Sequence, residues 1–190
     1  MNRSRGFTLI ELLVVVGLIA VMLMIAVPSF TSFISNYRAT AAVNDLLQGI
    51  TLTRSEALKR GRRVVMLPNL ANGTPSASGS WANGWTVFVD LNNNLTMETT
   101  DTMIFKHGKL PSSTVVAAVG SSTLPFADAN YVSFDGTGYP RTVAGSQLNG
   151  GVRLTDTIAS NTPNVRTICL ANFGRPRVVR DTPTESCSGG

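Results

Sequence analysis

The sequence predicts an α+β fold, with one long N-terminal helix packed through its second half on an antiparallel β-sheet head. Three observations predict it. The run from Phe7 to Phe30 is apolar and carries Glu11 as its only charge. Apolar residues then recur mostly at three- and four-residue spacings as far as Leu58. Beyond Gly61 the pattern changes to short β-rich stretches separated by turn residues, with no βαβ rhythm and no G-x-G-x-x-G or P-loop.

The chain begins with MNRSRG, a short basic segment ending in glycine (residues 1–6). Residues 7–30 follow as a helix about 36 Å long at about 1.5 Å per residue, enough to cross a hydrocarbon core of about 30 Å. The run is too long for an ordinary secretory h-region, and no A-x-A site follows it. Arg3 and Arg5 before it and a long polar tail after it predict a cytoplasmic N-terminus. Glu11 is the anomaly, because a carboxylate in a membrane helix costs about 2.5–3.5 kcal/mol on insertion scales. Either it snorkels to the nearby interface or it pairs with a positive charge on another chain.

Residues 31–60 continue the helix in amphipathic form. Phe30, Phe33, Ile34, Tyr37, Ala41, Leu46, Leu47, Ile50, Ala57 and Leu58 form the apolar set, while Asn36, Arg38, Asp45, Arg54 and Glu56 fill other positions. Lys59, Arg60 and Gly61 suit a helix end, and Pro28 and Gly17 are places for a bend. Residues 61–190 supply the head. Strands are predicted at Val64–Leu67, Trp85–Val89, Met103–Lys106, Thr114–Val119, Tyr131–Phe134, Gly151–Leu154 and Val165–Leu170.

Gly6-Phe7-Thr8-Leu9-Ile10-Glu11, followed by the apolar run and Pro28, closely resembles the class III signal of type IV pilins and type II secretion pseudopilins. The resemblance implies that a prepilin peptidase removes residues 1–6 between Gly6 and Phe7 and that the new Phe7 amine is N-methylated. It implies that Glu11 meets the Phe7 amine of a neighbouring subunit during assembly. The implied location is the bacterial inner membrane with a periplasmic head, then an extracellular pilus. In the head, Trp81-Ala-Asn-Gly-Trp85-Thr-Val-Phe-Val-Asp90 and Phe134-Asp-Gly-Thr-Gly138 resemble the GspH/FimT family of minor pilins and pseudopilins.

Charge and chemistry narrow the function. The net charge is +5; without Arg3 and Arg5 it is +3 (5 − 2), a mild basicity that permits an anionic partner without requiring one. A single histidine, His107, read as part of a solvated basic turn, and two cysteines make no triad or zinc site, so neither an enzyme nor a cofactor is expected. Asp90-x-Asn92-x-Asn94 resembles the start of a calcium loop, but Leu95 stands where the sharp turn needs glycine, and an Asn-rich hairpin turn explains it better. In an exported head, Cys169 and Cys187 read as a disulfide, the alternative being free thiols or half a metal site.

That bond would close a loop around Arg175, Arg177 and Arg180, contributing about 3 kcal/mol by loop-closure reasoning. In an extended stretch residues 175 and 177 project to one side, and guanidinium forks suit phosphate oxygens. Gly174-Arg175-Pro176-Arg177 matches a G-R-x-R pattern found in FimT-type minor pilins, and this resemblance implies DNA binding in natural transformation. Arg180 is expected as a third contact, with Lys106, Lys109, Arg141, Arg153 and Arg166 as candidates to extend the patch. Phe173 is the one aromatic beside the arginines, which supports phosphate-led binding rather than base stacking. Two other readings share the same N-terminus: a structural minor pilin that primes pilus assembly, and a type II secretion pseudopilin of the GspH type. The alternative for the arginines is that they pair with Asp181, Glu185 or neighbouring subunits, or merely solubilise the tail.

Overall fold

A computed structural model describes residues 7–111, 114–118, 130–156, 164–180 and 187, without the side chains of 25–29, 31, 32, 117, 118, 156, 164 and 180. The expected cleavage position, Gly6, lies outside the described residues. A single helix, α1 (Leu9–Arg60), runs uninterrupted through Gly17 and Pro28. Thr8 caps its start in a capping box. The Thr8 hydroxyl accepts from the Glu11 amide (3.3 Å) while the Glu11 carboxylate accepts from the Thr8 amide (2.9 Å) and hydroxyl (3.0 Å). Gly61 ends the helix in the left-handed region, and Lys59 and Arg60 reach back to Glu56.

The first half of α1 is bare, with the side chains from Leu9 to Met24 exposed. Among the described residues no helix is long and apolar enough to cross a membrane. The described apolar stretch, Leu9–Met24, covers about 24 Å at about 1.5 Å per residue, and the side chains that follow it are outside the described set.

The second half of α1 buries a stripe that differs from the one the spacing predicted. Ser35, Ala39, Ala42, Val43, Leu46, Ile50, Thr53 and Ala57 face the head, whereas Phe30, Phe33, Tyr37 and Leu58 are exposed. Small residues win the buried face because they let the helix backbone come close to the strands; a Cβ at Gly49 would lie 2.7 Å from the Trp85 indole nitrogen.

The head contains two four-stranded antiparallel sheets rather than one. The first has the order β3-β2-β1-β5, from β1 (Val64–Asn69), β2 (Ser80–Val89), β3 (Thr102–His107) and β5 (Val132–Phe134). The second has the order β4-β6-β7-β8, from β4 (Thr114–Ala118), β6 (Gly150–Asp156), β7 (Asn164–Leu170) and β8 (Pro176–Arg180). The seven predicted strands are present with borders moved by a few residues, and β8 is an addition. The helix packs on both sheets, so one core joins Leu46 and Ile50 with Trp85, Phe88 and Phe134 and with Leu154, Ile168 and Leu170.

Candidate nucleic-acid interface

The C-terminal arginines sit on a β-hairpin, not on an irregular loop held by the disulfide alone. Strands β7 and β8 pair with Leu170 opposite Pro176, Cys169 opposite Arg177 and Arg166 opposite Arg180. Pro176 hid this strand in the sequence. As the first residue of an edge strand, however, it need donate no ladder hydrogen bond. Ala171 and Gly174 form the turn, through Gly174 N donating to Ala171 O (2.8 Å) and Ala171 N to Arg175 O (3.3 Å). Gly174 has φ 73°, and a Cβ there would lie 2.8 Å from Phe134 and 3.1 Å from the Gly138 carbonyl. Both the backbone angle and the contact require glycine.

Arg175 and Arg177 are exposed on either side of half-buried Pro176, and neither has an ion-pair partner among the described residues. Asp181 and Glu185, their alternative partners, lie outside the described residues. Position 180 is three residues beyond 177, so strand alternation puts the two positions on opposite faces of the sheet. The side chain of Arg180 is outside the described set. Cys169 and Cys187 are bonded, which ties the tail back to the hairpin at the level of Arg177.

A neighbouring loop, residues 135–140, seats the hairpin turn. Asp135 organises it: its carboxylate accepts from the Thr137 amide (2.9 Å), the Thr137 hydroxyl (2.5 Å) and the Tyr139 amide (3.1 Å), and Arg141 lies 3.6 Å away. Gly136 packs so closely on the backbone of Gly61 that a Cβ would collide with it. The sequence reading missed the residue that joins these parts. Arg54 of α1 donates through Nε to Gly138 O (3.1 Å) and through Nη1 to Gly174 O (3.2 Å). No local pattern points to it, because its partners are backbone carbonyls 84 and 120 positions away. Asn149 adds a contact by donating to the Asn172 side chain (2.8 Å).

The other basic candidates are dispersed. Lys106 and Lys109 belong to the β3 end of the first sheet. Arg166 donates to the Thr40 hydroxyl (3.4 Å), Arg153 is half-buried in β6, and Arg141 is engaged by Asp135. His107 is not a solvated turn residue. Its ring stacks on Trp85 at 4.1 Å, with Nδ1 2.7 Å from Gly108 O and Nε2 3.5 Å from the Asp45 carboxylate. In the segment after β2, Asp90 accepts from the Asn94 and Leu95 amides, and Glu98 accepts from both Asn92 and Asn94. These carboxylates are therefore occupied by N–H donors. Among the described residues no group of three or more His, Cys, Asp or Glu is placed to hold a metal.

Asp135 makes the loop acid-sensitive. Burial raises its pKa, but the Thr137 and Tyr139 donors and Arg141 outweigh burial and hold it below the usual carboxylate value. A carboxyl depressed in the folded state contributes stability that is full above its unfolded value of about 4 and is lost as pH falls through the folded value. Melting curves taken from pH 7 to pH 2 should show Asp135→Asn less stable than wild type at pH 7. The gap should begin to close below about pH 4 and vanish once the pH is below the folded value. Parallel curves would remove Asp135 from this role.

A sequence profile described as type II transport protein GspH matches residues 42–174. A second, described as the prokaryotic N-terminal methylation motif, matches residues 1–27. The chain is 36% identical to Fimbrial protein Q of Moraxella bovis over 86 residues, 45% of this chain and 54% of that protein. It is 48% identical to Prepilin peptidase-dependent protein D of Escherichia coli (strain K12) over 48 residues, 25% of this chain and 30% of that protein. The matches thus span about half or less of these relatives' length. The crystal structure of the type IV minor pilin FimU of Pseudomonas aeruginosa shares the fold, with TM-score 0.52 at 13% identity over 81% of this chain and 96% of that one.

Proposed function

The chain belongs to the GspH family and is a GspH/FimT-like minor pilin or pseudopilin, and from that premise we propose that its head binds extracellular DNA for uptake. The observation that carries the proposal is the pair Arg175 and Arg177, exposed on a hairpin whose turn is fixed to the helix by Arg54. Two guanidinium groups without carboxylate partners among the described residues, on a rigid edge, are suited to phosphate oxygens. Their two-residue spacing, with Arg177 in β8 and Arg175 just before it, supports contact with successive phosphates, and several copies in a filament would add avidity.

In the same reading, residues 7–30 anchor the precursor in the inner membrane. Prepilin peptidase then cuts after Gly6, and Phe7 and Glu11 serve assembly with other pilins. Arg180 is a further phosphate contact only if its side chain turns around the strand edge, since its position belongs to the opposite face.

The test is a salt-titrated binding assay on the detergent-solubilised chain with and without Arg175→Ala/Arg177→Ala. Removing two phosphate contacts should make the plot of log K against log salt shallower by about 1.4–1.8, with affinity falling at least tenfold at low salt. Equal affinity and slope in a folded double variant would move the site elsewhere.

A structural role in filament assembly has its own supporting observation. An apolar groove of about 480 Å³ lies between α1 and the outer strand β3, lined by Leu47, Gly49, Leu52 and Phe105. Its apolar lining supports burial against a neighbouring subunit, and a head that binds no DNA would leave this as the reading.

A further inference from the structure

We propose that the hairpin prefers single-stranded nucleic acid to duplex, with bases stacked on Phe173 and Tyr139 while Arg175 and Arg177 hold the phosphates. The inference rests on the DNA-binding reading above. Its first support is exposure: Phe173 is 62% and Tyr139 44% accessible, although both lie in ordered turns of the head. Neither ring is needed by the core, which is filled by Phe134, Trp85 and the aliphatic residues around them.

The second support is juxtaposition. Phe173 immediately precedes Gly174, and Tyr139 immediately follows Gly138. The Gly138 and Gly174 carbonyls accept from two nitrogens of one guanidinium, that of Arg54. A Cβ on Gly174 would lie 3.1 Å from both Gly138 O and Pro140 Cδ. The two aromatic residues therefore flank a single contact between two loops, at the end of the hairpin where Arg175 immediately precedes the return strand.

Rigidity is the third support. Asp135 holds the Tyr139 amide, the Ala171–Gly174 turn closes beneath Phe173, and Asn149 holds Asn172. With the backbone of both turns fixed, stacking costs only the freedom of the two side chains. Arg141, held by Asp135, lies over one side of the Tyr139 ring at 6.0 Å from its centroid, so a base would stack on the opposite face. Duplex DNA keeps its base faces against one another, so flat exposed rings offer it little. A single strand presents those faces, and each base stacked on an aromatic ring adds about 5- to 150-fold in affinity.

The experiment compares three probes of equal phosphate count on the detergent-solubilised full-length chain: oligothymidylate, an abasic strand and a blunt duplex. Wild type should bind oligothymidylate about tenfold or more tightly than either the abasic strand or the duplex, and equal or tighter binding of the duplex overturns the preference. Phe173→Leu/Tyr139→Leu, which keeps apolar bulk but removes the flat faces, should lose that preference and bind the abasic strand as wild type does. Equal binding of the base-bearing and abasic strands by wild type overturns the inference and leaves the phosphate site standing. A preference that survives both leucine substitutions overturns it as well. Failure to bind any of the three probes overturns the DNA-binding reading itself.

Discussion

Arg54→Ala is expected to lower folding stability by about 2–4 kcal/mol: hydrogen bonds to a charged group contribute about 1.5–3 kcal/mol each, and the two lost here count for less than their full sum because the guanidinium is only partly buried. For a chain of this size that corresponds to a melting midpoint about 5–15 °C lower. The loss is more than two contacts. Arg54 joins the Gly138 and Gly174 carbonyls to the helix, so its removal leaves both acceptors without their protein donor and frees the hairpin turn. DNA affinity should fall too, although Arg54 is partly buried and is not itself placed as a phosphate contact. Arg54→Lys separates geometry from charge. An ammonium keeps the positive charge but lacks the fork that reaches two carbonyls at once, so it should recover less than half of the stability. Hydrogen exchange at the Ala171 and Gly174 amides would locate the effect. An unchanged melt in Arg54→Ala would refute the bridge.

What could be read from the sequence, and what could not, follows the range of the interactions. The helix end was legible because its signals are adjacent in sequence: Lys59, Arg60 and Gly61. Seven strands were legible because their apolar runs are local. Strand β8 was not, because Pro176 and the arginines depress its β signal, and its partner strand supplies the ladder instead. The division into two sheets depends on which strands pair across long separations, and no local pattern carries that information. The Thr8-x-x-Glu11 capping box was legible in principle, yet Glu11 drew attention as a charge among apolar neighbours.

The candidate site divides in the same way. Gly174, Arg175, Pro176 and Arg177 are contiguous and could be found together. Their scaffold is assembled from Arg54 on the helix, Gly138 and Asp135 in a middle loop, and Asn149 before β6. Sequence could assign residues 175 and 177 to one side of an extended stretch. It could not show that the turns carrying Phe173 and Tyr139 meet, because the Arg54 bridge and the packing of Gly174 on Gly138 and Pro140 join them across long separations. The phosphate-led expectation came from counting aromatics near the arginines in sequence, whereas the fold adds one from 34 positions upstream (173 − 139).

Glu11 carries the last prediction, because two different jobs meet on one carboxylate. In the free chain it completes the capping box with Thr8. In the proposed filament it pairs with the Phe7 amine of a neighbour. Glu11→Ala should leave membrane insertion intact, since it removes a charge that costs about 2.5–3.5 kcal/mol to bury. It should nevertheless reduce filament incorporation more than a hundredfold, because stripping one partner from a buried ion pair costs about 3–5 kcal/mol. Alanine alone does not isolate the pairing, since it also weakens the helix start. Glutamine does: its amide oxygen still accepts from Thr8 in a capping box, but it carries no charge. If the amine pairing drives assembly, Glu11→Gln and Glu11→Ala fail alike when pilus fractions are probed for the subunit. If Glu11→Gln is incorporated normally while Glu11→Ala is not, the carboxylate matters as a cap, and the ion pair between subunits is not the assembly signal.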